Sequence, residues 1–560
     1  MRLKWLGSPA ALAGCVALSG CAVPQMASRP TTRQAAPIEV QILALNDFHG
    51  NIVPPPPIEI AAADGTKSML ASGGVARLAA ALATRRLGHS HSVTVSAGDL
   101  IGASPFVSGA FLDEPTIATM NLVGLDLAAV GHDDFDKGPR ELWRMQGGGC
   151  AKFTTLTPCR LGPFAGARFR FLAANVRTAE GVTLFAPTAI RQFGPVRIGF
   201  IGVTSEGTGT LADPASVRGL SFADEVVTAN ALVPDLKAQG ADTIVLLIHQ
   251  GEQPSLSTAG QDCNGLSGDI LPVLDRLDPA IATVVSGHTH SAYICRRGGR
   301  VVTSAGEDGR FFSDLRLRFD SSTHRLIDQA AVNLVTGAGA EEPTVKALVD
   351  RYVAAAAPIA NRVIGHLSGP AARDDRDRES PAANLNADVF LSAGRSAGAQ
   401  FALVNASGVR AALVPTAAGG NVTYEQAFSM MPFTNRVVVK TLTGKQVKAL
   451  LEQQFPTPGY PAGATPPLLV PSAGFSFDFD LARPAGGRIV AIRLAGKSIS
   501  PTARYRVAVN SHLANGGGGY SVLTQGVNAV DAGLDIDALA GWLANGPRVP
   551  AVGRVRNVTR

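Results

Sequence analysis

Residues 40–50 read VQILALNDFHG, and this stretch decides the fold. A mainly apolar run of six residues, typical of a buried strand, stops abruptly at polar residues that include Asp47 and His49. Four further runs end in the same way: VTV before SAGDL (93–100), AAV before GHDDFD (128–136), IVLLI before HQG (244–251) and TVV before SGHTH (283–290). Helix-like segments such as 74–87 and 115–122 lie between them. Short strands that alternate with helices predict a layered α/β domain, with ligands beyond the carboxyl ends of the strands.

Side chains that can bind metal collect at these strand ends. The set contains five of the ten histidines and two aspartates: Asp47, His49, Asp99, His132, His249, His288 and His290. A single histidine after a strand is usually a hydrogen-bonded loop residue, and a structural histidine cluster is the alternative here. Mixed imidazole and carboxylate ligands favour Zn²⁺, Mn²⁺ or Fe²⁺, with Mg²⁺ or Co²⁺ as substitutes in vitro. Seven ligands suit two divalent ions, the usual arrangement for in-line displacement at phosphorus.

The first 21 residues, MRLKWLGSPAALAGCVALSGC, have the features of a secretory signal. Two cations precede an apolar stretch that is too short to span a membrane. Small residues stand directly before Cys21, as in bacterial lipoprotein signals, in which the cysteine is lipidated. An ordinary signal with an incidental cysteine is the alternative. We expect a lipoprotein signal peptide over 1–21, a linker over 22–37, and a periplasmic protein anchored to the outer membrane through Cys21.

Four cysteines remain beyond this signal: Cys150, Cys159, Cys263 and Cys295. Four cysteines allow three pairings. In an exported protein, disulfides are favoured over metal thiolates and over free buried thiols. We expect the pairs Cys150–Cys159, across a short loop, and Cys263–Cys295.

A chain of 560 residues exceeds what one hydrophobic core usually supports, so two large domains are expected. Residues 341–359 (EEPTVKALVDRYVAAAAPI) read as a helix that joins them. The following part mixes helix-like segments (384–393, 443–453) with strand-like runs (437–440, 504–509). The net charge of +6 is spread along the chain, and the sequence contains no long run of Lys and Arg residues. We therefore expect no nucleic-acid partner.

The motifs NDFHG, GDLIGASP, IHQG and SGHTH resemble those of the metallophosphoesterases, specifically the 5′-nucleotidase family. The resemblance extends over roughly 40–530 with the motifs in the same order. It implies an α/β chain with an N-terminal four-layer α/β/β/α metallophosphoesterase domain over 38–338 and a linker helix over 339–361. A smaller, mixed α/β, nucleotide-binding domain over 362–560 would follow.

The resemblance also assigns the metal ligands. Asp47, His49 and His290 would hold one ion, and Asp99 would bridge the two ions. His249, His288 and the residue at 132 would hold the second ion. Water activated between the ions would be the nucleophile.

The motif VGHDDFD at 130–136 departs from the family pattern Gly-Asn-His-Glu-Phe-Asp. His132 stands where the family has a ligand Asn, and Asp133 stands where it has the His that, with the final Asp, here Asp136, assists the leaving group. His132 can replace an Asn oxygen as a metal ligand. Asp133 adds a negative charge beside an incoming phosphate, so it can serve only if it is protonated or drawn onto a metal. A swap is the third possibility, with Asp133 as ligand and His132 in the catalytic role.

The resemblance also covers the substrate-binding segments. NASGVR at 405–410 makes Arg410 a phosphate or ribose partner, Asn405 a base contact and Gly408 part of the same loop. Arg376 stands where the family has a second phosphate-binding arginine. Phe433 would stack on the base. His512 and Gly518 stand where the family has the second stacking aromatic and an Asp, which predicts weaker selection of a nucleoside.

These residues predict an exported dimetal phosphoesterase acting on 5′-nucleotides or related phosphomonoesters, as a monomer or a dimer. A 2′,3′-cyclic nucleotide phosphodiesterase or UDP-sugar pyrophosphohydrolase is the second hypothesis. A non-catalytic nucleotide- or metal-binding lipoprotein is the third.

Overall fold

The computed structural model describes residues 36–61, 67–251, 253–254, 263, 266–374, 378–416, 419–455 and 468–559. Residues 37–560 form one compact unit. The expected signal peptide and its Cys21 lie outside the described residues, as does nearly all of the expected linker. Within the described part, no helix combines the length and the apolar character needed to cross a membrane.

A six-stranded sheet carries the first three motif loops. Its strands, from one edge to the other, are Leu326–Val335, Phe311–Phe319, Ile38–Leu45, Ser92–Ala97, Leu127–Ala129 and Arg170–Leu172. The last four strands are parallel, and the first two run antiparallel to their neighbours. Leu45 pairs with Ser96, and Ala97 pairs with Ala129. The loops that follow these strands therefore leave the sheet at the same edge.

A second six-stranded sheet carries the other two motif loops. Its strands, in order, are Ala292–Arg297, Arg300–Ala305, Ile281–Ser286, Thr243–His249, Val196–Thr204 and Thr188–Phe193. The four central strands are parallel and the two outer ones antiparallel. Ile248 pairs with Ser286, so HQG and SGHTH also begin at one edge.

The two sheets pack face to face. Val40, Ile42 and Ala44 share a buried cluster with Val245 and Leu247 of the opposite sheet. The alternate residues of the same strands belong to two outer clusters formed with helices. Because side chains alternate along a strand, a strand buried on both faces must be apolar throughout, which explains runs such as IVLLI.

Helices cover both outer faces and complete four layers. Under the first sheet lie Val75–Arg86, Glu114–Val123 and Pro139–Gly147, and under the second lie Glu225–Ala238 and Ile270–Arg276. Shorter helices in this half span Phe106–Gly109 and Thr208–Leu211. Two-stranded ribbons pair Ile58–Ala61 with Lys67–Leu70, Val176–Arg177 with Ser221–Phe222, and Gln253–Pro254 with Leu266–Ser267. The predicted α/β/β/α architecture is confirmed.

The predicted joining helix spans Pro343–Ala360, and Glu342 caps it by accepting the Val345 N–H at 2.7 Å. Beyond it lie a five-stranded sheet and a four-stranded sheet: Leu469–Pro471, Phe401–Asn405, Arg504–Asn510, Arg436–Thr443 and Val527–Leu534, then Lys497–Ser498, Ile489–Leu494, Phe475–Phe479 and Val555–Asn557. A ribbon pairs Val363–His366 with Asn421–Thr423, and the helices are Pro381–Gly394, Tyr424–Met430, Gly444–Glu452, Ser511–Ala514 and Asp535–Leu543. This part of the chain is therefore mixed α/β, as predicted.

The two halves of the chain share buried surface. Val345, Val349 and Tyr352 of the joining helix belong to one cluster with the core under the first sheet and the core of the C-terminal half. Phe106, just after GDLIGASP, makes edge contacts with Tyr424 and Phe428, at centroid distances of 5.1 and 5.3 Å. The domain boundaries at 38–338, 339–361 and 362–560 stay predictions, because this core is continuous.

Both expected disulfides are present in the structure. Cys150–Cys159 closes a loop with a sequence separation of 9, and Cys263–Cys295 ties residue 263 to an edge strand of the second sheet. A buried ion cluster lies against the first of these loops. Arg144 contacts Glu114 at 2.7 Å and Glu141 at 2.5 Å, and Glu114 also accepts the Cys159 N–H at 2.9 Å.

We expect Arg144→Met to destabilise the fold by about 3–5 kcal/mol, because it leaves two buried carboxylates without their cation. Arg140→Met is the matched control on the same helix. Arg140 is exposed and stacks on Phe153 at 4.4 Å, which is worth about 0.5–1 kcal/mol. Urea unfolding of both variants measures the difference. Equal losses would contradict a structural role for the Arg144 cluster.

Candidate metal centre

All seven predicted ligands lie at the edge where the motif loops leave the two sheets. Five of them have left-handed backbone conformations, with φ between 46° and 76°: Asp47, His49, Asp99, His288 and His290. Each such residue costs about 1–3 kcal/mol and persists only where the surrounding structure enforces it. Strain concentrated in this way is typical of a functional site.

Asp47, His49 and His290 form the first donor set. The Nε2 atoms of the two histidines lie 3.1 Å apart. Asp47 Oδ1 lies 3.9 Å from the first of these nitrogens and 3.6 Å from the second. Each residue thus turns one possible ligand atom toward a common point.

His132, His249 and His288 form the second donor set. His132 Nδ1 lies 3.2 Å from His249 Nε2. Asp99 lies between the two sets, because its Oδ2 is 2.9 Å from His249 Nε2, 3.1 Å from His132 Nδ1 and 4.0 Å from His49 Nε2. Asp99 therefore lies within reach of both sets, and the bridging role that the family resemblance implies for it stays a prediction.

Charge at the site is strongly coupled. Burial opposes the charge on His249, but Asp99 and Asp47 raise the pKa of its imidazole to about 10. Burial likewise opposes the charge on His290, where Glu307 and Asp47 raise the pKa to about 9. Burial and the neighbouring imidazoles of His132 and His249 hold the pKa of His288 well below its usual value. The buried carboxylates therefore require compensating positive charge.

Divalent cations fit this donor chemistry. His288 Nδ1 is buried without a hydrogen-bond partner within the described part of the chain, although burial of a free ring nitrogen is costly. The two sets combine imidazole nitrogens with carboxylate oxygens, which suits Zn²⁺, Mn²⁺ or Fe²⁺. Asp99, placed between the sets, can serve both ions.

Backbone carbonyls orient the histidines. His249 Nδ1 lies 2.9 Å from the Ala97 carbonyl, and His49 Nδ1 lies 3.1 Å from the Gly102 carbonyl. Each bond leaves Nε2 to face the cluster, as metal-binding histidines require. Asn46 holds Asp47 by donating to its Oδ2 at 2.6 Å.

Glu307 is a further candidate site residue that the sequence analysis missed. Its Oε2 lies 2.5 Å from His290 Nδ1, which leaves Nε2 for the cluster. The charges of Arg373 and Arg410, from the C-terminal half, also act on Glu307. The signal was present in the sequence, because VVTSA at 301–305 is one more strand that ends in acidic residues.

Glycines let the loops approach the ligands closely. A Cβ at Gly131 would lie 2.2 Å from Asp99 Oδ1, and one at Gly98, where φ is +94°, would lie 2.6 Å from His249 Nδ1. Side chains at these positions would displace the donors themselves.

The altered motif separates its two unusual residues. The His132 ring turns Nδ1 into the second donor set, whereas Asp133 lies beside the cluster, where it forms a third possible donor group with His49 and Asp99. Asp133 Oδ2 lies 3.4 Å from Arg410 Nη2 and 3.6 Å from His49 Nδ1, and its Oδ1 lies 3.4 Å from His132 Nε2. His132 is thus placed as a possible ligand of the second set, and Asp133 is placed where it could also be drawn onto a metal.

The side chains of the other two aspartates of the motif accept hydrogen bonds from backbone N–H groups. Asp134 accepts the N–H groups of Gly131, Asp99 and Ile101 at 2.7, 3.0 and 3.1 Å. Asp136 accepts the Ala103 N–H at 2.9 Å, and its side chain has no direct contact with Asp133 among the described hydrogen bonds and ion pairs. Both residues fix the loop that presents Asp99.

The C-terminal half brings Arg410 to this cluster. The Arg410 guanidinium contacts Asp133 and lies 5.8 Å from the ring centre of Phe433. Asn435 joins the Phe433 loop to the His512 helix, since its Oδ1 accepts the Ser511 hydroxyl at 2.8 Å.

His512 lies beside the N-terminal half. Burial lowers the pKa of its imidazole, on which the charges of Asp213 and Asp133 also act.

The remaining residues that were predicted to bind substrate have other surroundings. The Asn405 side chain accepts a hydrogen bond from Asn510 at 2.9 Å and donates one to Ser407 at 3.2 Å. Gly408 closes the turn around that side chain, since a Cβ there would lie 3.0 Å from it. Gly518 is exposed. Arg376 lies outside the described residues.

Known proteins resemble this chain over most of its length. The family model "5′-nucleotidase, C-terminal domain" matches residues 362–525. The chain is similar to the endonuclease YhcR of Bacillus subtilis, with 27% identity over 498 residues that cover 87% of this chain and 38% of that protein. It is similar to bovine 5′-nucleotidase, with 23% identity covering 91% of this chain and 89% of the relative.

Among solved structures, the 5′-nucleotidase precursor of Thermus thermophilus superposes with a TM-score of 0.75 and 26% identity. The match covers 93% of this chain and all of that one. The chain thus spans little more than a third of YhcR but nearly the whole of these two nucleotidases. The chain thus resembles 5′-nucleotidases, which hydrolyse phosphoester bonds, over nearly its whole length, and its residues 362–525 match the C-terminal domain of that family.

Proposed function

We propose that this protein is an exported, metal-dependent phosphoesterase that hydrolyses 5′-nucleotides or related phosphoesters. One observation carries the proposal: two adjacent donor sets converge under the guanidinium of Arg410, which comes from the other half of the chain. Two cations facing a planar guanidinium form a binding site for a phosphoryl group.

The residues divide into holders of metal and holders of substrate. Asp47, His49 and His290 would hold one ion, Asp99 both, and His132, His249 and His288 the other. When bound, the ions would activate water and neutralise charge on the phosphoryl oxygens. Glu307 and the carbonyls of Ala97 and Gly102 keep the imidazoles oriented.

The C-terminal half would bind the rest of the substrate. Arg410 would bind phosphate, and Phe433 with His512 would stack on the two faces of a base. The link through Asn435 supports this pairing of Phe433 and His512, because it fixes their segments to each other. Arg376 is proposed as a second phosphate partner, Asn405 as a base contact and Gly408 as part of their loop.

A second candidate is phosphodiester hydrolysis, which the carboxylate of Asp133 favours. The relative named an endonuclease supports it, since an endonuclease cleaves phosphodiesters. Export and a lipid anchor at Cys21 belong to the same proposal, and the two disulfides support export.

The purified protein is expected to release phosphate from 5′-AMP when Mn²⁺ is added and to lose that activity with excess chelator. Phosphate release measured before and after chelation, and again after Mn²⁺ is restored, tests the proposal. Two bound ions per chain without hydrolysis of any phosphoester would instead indicate a binding protein.

Removal of one histidine from the second donor set should prevent that set from binding its metal ion. We expect His249→Ala to lower bound metal from two ions per chain to one and to reduce turnover by more than about 100-fold. Mutation of a residue that only hydrogen-bonds to a metal ligand already lowers metal affinity or activity by about 10–100-fold, and loss of the ligand itself should cost more. His366→Ala, at an exposed histidine of the C-terminal half, is the matched control. Metal analysis after dialysis and phosphate release measure both effects, and two retained ions would exclude His249 as a ligand.

Glu307→Gln should weaken metal binding by about 10–100-fold, because the uncharged amide orients and polarises His290 less. Glu180→Gln removes an exposed carboxylate outside the candidate metal groups and serves as its control. Calorimetric titration with Mn²⁺ measures the affinity. Unchanged affinity in Glu307→Gln would show that the contact with His290 does not support metal binding.

A further inference from the structure

The carboxylate of Asp133 occupies the space that faces the phosphate-binding arginine. Asp133 is 6% exposed and contacts Arg410 at 3.4 Å, while its other oxygen lies 3.4 Å from His132. Its backbone N–H donates to Asp99 Oδ1 at 2.8 Å, which fixes the residue against the cluster. A phosphoryl group that touched both the donor sets and Arg410 would therefore lie next to this carboxylate.

A fixed negative charge acts on a bound ligand in proportion to the ligand's own charge. A phosphomonoester carries close to two negative charges at neutral pH, whereas a phosphodiester carries one. Arg410 reduces the field of Asp133, but the pair supplies one positive charge less than Arg410 alone. The loss of electrostatic attraction between the site and the bound ester is thus about twice as large for the doubly charged ester.

We propose that Asp133 is a specificity-determining residue that selects singly charged phosphodiesters over doubly charged phosphomonoesters at this site. The inference rests on the proposed phosphoesterase function and narrows its substrate class. Asp133 acts on substrate through charge and through its hold on Arg410. 5′-Nucleotides remain substrates, at lower efficiency than diesters of comparable leaving groups.

The experiment compares two substrates that release the same leaving group: p-nitrophenyl phosphate, a monoester, and thymidine 5′-monophosphate p-nitrophenyl ester, a diester. The ratio of their kcat/KM values with saturating Mn²⁺ cancels effects of the leaving group. We expect Asp133→Asn to shift this ratio about tenfold toward the monoester, an order of magnitude set by one unit charge at this range in a partly screened site. Asp328→Asn removes the same charge at the opposite end of the first sheet and should leave the ratio unchanged.

A second variant tests the same charge balance by removing the positive partner, Arg410, instead of Asp133. Arg410→Gln should shift the ratio toward the diester, because it leaves Asp133 without its cation. Calorimetry supplies a readout without turnover: Asp133→Asn should tighten binding of inorganic phosphate more than binding of dimethyl phosphate. Bound metal and melting temperature are measured for each variant.

The outcomes are distinct. A ratio that stays constant in Asp133→Asn, or that moves toward the diester, overturns the role of Asp133 while hydrolysis by the unmodified protein still supports the proposed function. Hydrolysis of neither substrate by the unmodified protein overturns the proposed function and this inference with it.

Discussion

Two buried carboxylates, Asp47 and Asp99, create the constraint on which the rest of the site depends. Both are fully buried at the edge where parallel strands end, and Asp99 touches imidazoles from both donor sets. A buried negative charge is costly unless positive charge compensates it. The surrounding histidines can provide part of that compensation, and bound cations would provide the rest.

The layered architecture makes this concentration of charge possible. Parallel strands of two sheets end at one edge, so loops that are distant in the chain bring their side chains together while the apolar faces stay sealed from water. The left-handed conformations of the ligands add a cost that the packed layers can bear. Gly98 and Gly131 then let backbone approach the donors where any side chain would collide with them.

The altered motif shows how one loop can keep its scaffold and change its chemistry. Asp134 and Asp136 hold backbone N–H groups and so preserve the loop that presents Asp99. His132 joins the donor set, whereas Asp133 forms an ion pair with the other half of the chain. We therefore infer that the exchange acts on the charge of the substrate and leaves the donor sets intact.

The sequence by itself predicted a layered α/β domain and the polar residues at its strand ends, because apolar runs and strand-end polar residues are local patterns. The four-layer order was implied by the resemblance to a family, and the two expected disulfides are present in the structure. Other features depend on contacts between residues distant in the chain. The contact of Arg144 with Glu114 and that of Asp133 with Arg410 join residues that are 30 and 277 positions apart, and no local pattern encodes them. A strand end marks Glu307, but not its contact with His290. Only the tertiary structure decided which nitrogen of His132 faces the cluster and which way Asp133 turns, since side-chain direction follows from the packing of both halves around one buried, charged centre.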